Sequence, residues 1–435
     1  MKKILSTVAA LGFSLYLPAA ALAGAAASSN DAILRELQEL RAQVSSQQAE
    51  IDMLKEQKVG DTTGLDTRIE ALEAKKGFVV SGNEFIDQIK VNGAMLIRYD
   101  VRDRNMKNSN NDDTRARFQN FFRVGGVWEN KAENWEVGAG LATGTTSPTT
   151  VNDTWGDTDI FKTGDIRLDY AYAKHKWNDV SATLGQMPNN PYKSSWVMVD
   201  TDVRMTGLTL AYGQKEGVFA TGGGYAVKLV NDDDTSTLYM GQVGYSGKFS
   251  DKGSFTVATG YRAFSNELYT DDEAVKYGFG SIDPNNYEMN IGDIYGDVSL
   301  PAGPVNLKLY GQLWQNFGAD GNIGQSQAGS SFPETPGDND LGWILGADSS
   351  YNNFKFGVAY AYIEADSTFG YLGDGTYTGS LSRTNVEGPR VQVGYDMSKN
   401  WSTTLSFFNL ERIEDWKAAK EDRTNVYQCD IVYKF

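Results

Sequence analysis

The chain has 435 residues and a formal charge of -16, with 12% aromatic residues, 46 glycines and a mean hydropathy of -0.42. Its acidity argues against a nucleic-acid partner, which would need a basic surface to release counterions. One cysteine and one histidine leave no disulfide pair, no Cys/His zinc site and no haem-attachment motif, so no cofactor and no enzymatic chemistry is expected.

The chain opens with Lys2 and Lys3, an apolar run from Ile4 to Leu17, then Pro18 and the small-residue site Ala21-Leu22-Ala23. That order predicts a secretory leader over residues 1–23, too short in its apolar run to span a bilayer. Residues 24–76 then predict a helical segment. Ile33, Leu37, Leu40, Val44, Gln47, Ile51, Leu54 and Lys58 step by four and three, the seam of a coiled coil. Gly60-Asp-Thr-Thr-Gly64 interrupts it, and a shorter seam follows at Leu65, Ile69, Leu72 and Lys76. Within the second seam Arg68-Ile-Glu-Ala-Leu-Glu73 resembles a short motif of three-stranded coils, which implies a homotrimer, with a dimer or a solitary surface helix as the alternatives.

Past Gly77 the period changes to two. Val91, Gly93, Met95, Ile97 and Tyr99 share one face of the first strand while Lys90, Asn92, Arg98, Asp100 and Arg102 share the other. The second, Thr114 to Glu129, sets Phe118, Phe122, Val124 and Trp128 against Arg115, Arg117, Gln119 and Arg123. Continued to Phe435, the pattern gives about sixteen strands over residues 84–435. The connections alternate. Turns such as Asn178-Asp179, Pro301 to Pro304 and Asn352-Asn353 are short and rich in turn formers, whereas Thr143 to Gly164, Pro188 to Val203 and Ala365 to Asn385 are long. Short turns on one rim and long loops on the other are the asymmetry of an outer-membrane barrel. The expected fold is therefore an all-β transmembrane antiparallel barrel with a short N-terminal coiled coil in the periplasm. Trp128, Trp135, Trp177, Trp401 and Tyr433 fall near strand ends, where an aromatic girdle meets the lipid interface.

The last strand carries Tyr427, Cys429, Ile431, Tyr433 and Phe435 on one face and stops on the Phe. This resembles the closing strand of bacterial outer-membrane barrels, and the resemblance implies that Tyr427, Ile431, Tyr433 and Phe435 form the signal read by the barrel-assembly machinery. Together with Arg115-Ala-Arg-Phe118, Gly140-Leu-Ala-Thr-Gly144, Asp169-Tyr-Ala-Tyr-Ala173 and Gly185-Gln-Met-Pro-Asn-Asn-Pro191, the chain resembles the bacterial porins that carry an N-terminal coiled coil. Some of these also hold an S-layer-homology domain, for which the stretch from Ala23 to Leu34 leaves no room.

A barrel of this strand number encloses a water-filled lumen. Arg98, Arg102, Arg115, Arg117, Arg123 and Arg167 fall on polar strand faces, predicting a basic wall. The resemblance to general porins sets such a wall across from acids on an inward loop, here Asp200 and Asp202. The expected function is passive diffusion of small hydrophilic solutes and ions across a lipid outer membrane. The competing reading is a structural tether or surface receptor working through the coil or the long loops. Three weaker features point elsewhere. Asn231 to Thr235, Asp271 to Glu273 and Asp338 to Asp340 are acidic enough to touch a divalent ion but lack the spacing of a calcium loop. His175 has no nucleophile motif beside it, and Cys429 reads as a small apolar residue facing lipid.

Overall fold

The computed structural model describes residues 89–106, 113–144, 147–156, 164–213, 216–231, 234–265, 289–319, 339–378, 384–413 and 421–435. The expected leader and coiled coil lie outside these residues.

Seventeen strands follow one another: β1 (Ile89–Met106), β2 (Asp113–Asn130), β3 (Trp135–Thr143), β4 (Asp153–Thr154), β5 (Ile166–Trp177), β6 (Val180–Gln186), β7 (Thr206–Tyr212), β8 (Gly217–Asn231) and β9 (Asp234–Lys248), then β10 (Ser254–Ser265), β11 (Asn290–Ala302), β12 (Val305–Asn316), β13 (Leu341–Tyr351), β14 (Phe354–Ile363), β15 (Val386–Asp396), β16 (Trp401–Glu411) and β17 (Glu421–Lys434). Each pairs antiparallel with its neighbour in sequence, except that β3 pairs with β5. The two-residue β4 lies against β2 inside what the sequence predicts as an unstructured long loop. β1 pairs with both β2 and β17, so sixteen strands close into an antiparallel barrel. Closure leaves no free sheet edge, which a strand protein in lipid requires because hydrocarbon satisfies no backbone N–H or C=O. Among the described residues no helix is long and apolar enough to cross a membrane, which says nothing of strands.

The seam is held by the last residue. Gly93 and Phe435 exchange two backbone hydrogen bonds of 3.1 Å, and the Phe435 ring occupies the space that a side chain on residue 93 would need. On the outside Phe435 stacks near Phe122 and Tyr433, and Tyr427 and Ile431 continue the same exposed apolar face.

Alternation along each strand sorts the wall. Ile97, Tyr99, Phe118, Phe122, Leu141, Leu168, Leu208, Leu210, Leu309, Leu313, Val391 and Leu405 are exposed outward, while Asp100, Arg102, Gln119, Thr209, Gln242, Asp293, Gln312, Ser406 and Gln428 are buried inward. Short turns close one rim, with Asn178 and Asn352 at φ of 52° and 50°, a left-handed conformation that asparagine tolerates.

Besides the β3–β5 connection with its β4, two connections on the other rim fold into the lumen. The β6–β7 segment buries Met187, Tyr192, Val197, Met198, Val199, Val203 and Met205. The β14–β15 segment buries Ala365, Phe369 and Tyr377. They pack on each other and on the inward side chains of Met240, Ile291, Trp314, Ile344, Ile363 and Leu410. This core sits inside the barrel, on the side formed by β8 to β16. Each buried aliphatic or Met side chain contributes on the order of 1.5–3 kcal/mol, which adds to wall hydrogen bonds such as Tyr192 hydroxyl to the Met240 carbonyl and Ser195 to Gln312 in holding the segments where they lie.

Candidate functional site

The lumen side of β1, β2 and β17 carries the charge. Arg98 makes a two-pronged contact with Asp430, at 2.7 and 2.8 Å. Asp100, fully buried, receives Arg117 at 2.8 Å and Arg102 at 3.4 Å. Arg123 bridges Asp169 at 2.8 Å and Asp202 at 3.0 Å. Arg204 joins the same Asp169 at 3.0 Å. A paired arginine is held in one rotamer and still presents its remaining N–H groups to the lumen.

Asp169 sits at an irregularity in β5. Gly140 pairs with Tyr170 and Leu141 with Leu168, leaving Asp169 as an extra residue in β5, so Asp169 and Tyr170 are both buried on the inner side. Arg167, Leu168 and Asp169 still alternate, and the bulge turns Tyr170 inward where strict alternation would send it outward.

Facing the arginines is the edge of the two inward segments. Asp200 accepts hydrogen bonds from the Asp202 N–H through its Oδ1 at 2.7 Å, and its own N–H donates to the Leu372 carbonyl at 2.6 Å. The Asp374 N–H donates to the Trp196 carbonyl, and Asp374 Oδ1 caps the N–H groups of Thr376 and Tyr377 at 2.9 and 2.8 Å. Gly373 approaches the Val197 carbonyl so closely that a Cβ there would collide with it. The Tyr377 hydroxyl lies 2.7 Å from both the Ala361 and Gly388 carbonyls, tying the segment to β14 and β15. Burial, then the nearby Asp374 and Asp202 charges, push the Asp200 carboxyl up to about 8.

Between the two sides lies a cavity of about 640 Å³. It is lined by Arg98, Arg102, Arg115, Arg117, Arg123 and Lys434 from the wall, by Asp200, Thr201, Asp202, Asp374 and Thr376 from the segments, and by Ser147, Thr149 and Thr150 above β4. Five of the six arginines singled out from the sequence line it, as do both aspartates. Arg167 stands beside it, donating to the Ser147 and Thr150 carbonyls at 3.1 and 3.0 Å, which steadies the segment before β4. Asp374, Asp430, Asp100 and Asp169 are the members that sequence reasoning missed. Asp100 and Asp430 stood on the polar faces of their strands, and the pairing of β1 with β17 places Arg98 opposite Asp430. Asp374 lies in a long connection with nothing local to show that it turns inward.

The other features separate from this site. His175 is packed between Trp135 and Trp177, with ring centroids at 4.5 and 4.4 Å, as part of an aromatic cluster. Asp271 to Glu273 lie outside the described residues, and among those described no group of three or more His, Cys, Asp or Glu is placed to hold a metal.

Comparison with known proteins bears on the fold. No curated protein matches the sequence. Among solved structures, the high-pH structure of Pseudomonas putida OprB is similar at 12% identity, with a TM-score of 0.52 over 85% of this chain and 96% of that one, a likeness of fold. A triple mutant of Rhodopseudomonas blastica porin is similar at 10% identity and a TM-score of 0.44, over 80% of this chain and all of that one. A family model described as "Putative porin" matches residues 66–284, just over half of the sequence. The barrel and this match agree: the chain belongs to that porin family, whose fold is that of an outer-membrane channel.

Proposed function

We propose that the protein is a non-enzymatic diffusion porin in which small hydrophilic solutes and ions cross through a slot between the arginine wall and the inward segments. The observation that carries this reading is the shared cavity, with Arg98, Arg102, Arg115, Arg117 and Arg123 on one side and Asp200, Asp202 and Asp374 on the other. Charges of opposite sign across a narrow gap set up a transverse field that orders water and disfavours apolar solutes. The lining is richer in cations than in acids, and Asp200 holds its proton near neutral pH. The slot therefore favours anions. The acidic total charge acts mainly at the mouths, where salt screens it within about 10 Å.

The same reading takes the face of Tyr427, Ile431, Tyr433 and Phe435 as the assembly signal and the working unit as a homotrimer joined by its periplasmic coils. Planar-bilayer recording tests the slot. Neutralising Arg115 and Arg117 together as R115Q/R117Q lowers anion preference and changes conductance, and unchanged conductance with unchanged selectivity removes the proposal. Liposome swelling by small sugars separates a channel from a tether, which has no need to conduct.

A further inference from the structure

Arg98, Arg102, Arg117 and Arg123 on the β1–β2 wall hold carboxylates, but Arg390 on β15 does not. Its guanidinium carbon sits over the Trp196 indole, 3.8 Å from the ring centroid, and its Nη2 donates a long 3.4 Å bond to the Tyr310 hydroxyl. Its Nε is buried with no hydrogen-bond partner, and among the described residues no carboxylate comes within ion-pair distance of it. Trp196 is itself fixed, its Nε1 donating to the Tyr310 hydroxyl at 3.2 Å and the Tyr377 ring meeting its edge. A guanidinium stacked on an indole keeps its planar N–H fork in one orientation, and a partly desolvated cation whose nearest acid, Asp348, stays out of hydrogen-bond reach favours an anion brought to it.

The fork opens onto a second chamber of about 370 Å³, lined by Trp196, Tyr310, Arg390, Lys308, Asp348 and Asp200 among others. Lys308 adds a second cation, 3.8 Å from Asp297 and within electrostatic reach of Asp348. Asp348 shares the chamber without reaching Arg390. Asp200 also borders the arginine slot, so the chamber adjoins the path described above. We infer that Arg390, seated on Trp196 and seconded by Lys308, forms a binding station for small oxyanions, carboxylate or phosphate, beyond the arginine slot. Two oxygens of a carboxylate or of a phosphate match the guanidinium fork two-pronged, which chloride does not.

This station deepens the reading of the lumen as a solute path, but its test does not require conduction. The full chain, folded in detergent, is titrated calorimetrically with succinate and with inorganic phosphate, the two arms showing which oxyanion is preferred. The inference expects saturable binding of at least one, weakened about tenfold or more in R390Q and partly in R390K, which keeps the charge but loses the fork. If R390Q does not fold, as judged by heat-modifiable gel mobility, R390K and K308Q carry the test. Absence of saturable binding by the unsubstituted chain overturns the inference, as does undiminished affinity in R390Q or in both R390K and K308Q. Binding lost in R390Q from a chain that conducts nothing would sustain the station and reject the channel.

Discussion

The two halves of the inner wall differ in what they hold. On β1, β2 and β17 arginines and aspartates dominate the inward positions facing a cavity; on β8 to β16, beside the buried Arg262–Asp293 pair, many are Met240, Ile291, Trp314, Ile344, Ile363 and Leu410, sealed under the inward segments. The apolar half positions and the charged half selects. Val197, Met198 and Tyr377 anchor the segments to one side by burial, which leaves the gap on the other side, where fixed charges act on whatever passes. A constriction built this way owes its width to packing and its selectivity to charge, so the two properties should respond to different substitutions.

The largest effect should come from the apolar half. V197D places a carboxylate in a site of zero exposure with no partner, a cost of several kcal/mol. The segments should come away from the wall, and single-channel conductance should rise about twofold or more while the barrel persists, as read by bilayer recording and heat-modifiable gel mobility. Conductance equal to that of the unsubstituted chain would mean that packing does not set the gap.

Next in size is a pH effect confined to the charged side. The Asp200 carboxyl titrates near 8 in the folded protein and near 3.8 when unfolded. The folded state therefore holds the extra proton between those values, so the stability contributed by this group is full below about 3.8 and is lost as pH rises through about 8. The same ionisation adds a negative charge beside the slot. Anion preference should fall as pH rises from below to above 8, and D200N should flatten that profile; a slope surviving in D200N assigns it to another group.

The smallest effect should follow loss of one hydroxyl. Y377F removes the donor shared by the Ala361 and Gly388 carbonyls, costing about 1–3 kcal/mol. The segments stay in place because the ring remains buried, and the expected sign is noisier open-channel current at unchanged mean conductance. A large conductance increase in Y377F would shift the anchoring from burial to this hydroxyl.

Much of the barrel was legible in the sequence because a strand with lipid on one face and water on the other must alternate. The arginines of β1 and β2 stand out for the same reason, since Arg98, Arg102, Arg115 and Arg117 occupy every-other positions opposite Tyr99 and Phe118. The apolar half of the lumen was harder to read. Gly342-Trp-Ile-Leu in β13 and Val358-Ala-Tyr-Ala-Tyr-Ile363 in β14 are apolar on both faces, so alternation fades. That fading was itself a signal that something packs inside, with Ile344 and Ile363 at zero exposure under the inward segments. Asp169 shares the inner face of Arg167 by plain alternation, but the added residue in β5 turns Tyr170 inward as well, and no local residue type announces that bulge. Asp374 depends on a long connection folding back some distance in sequence from the strand it faces, information held by tertiary packing alone.

The account rests on a basic slot governing passage, and a reversal potential measured across a bilayer in a potassium chloride gradient near neutral pH tests it most directly. The arginine wall predicts the sign of an anion-selective pore, moving toward zero in R115Q/R117Q. A cation-selective potential, or one indifferent to the loss of both arginines, would contradict it.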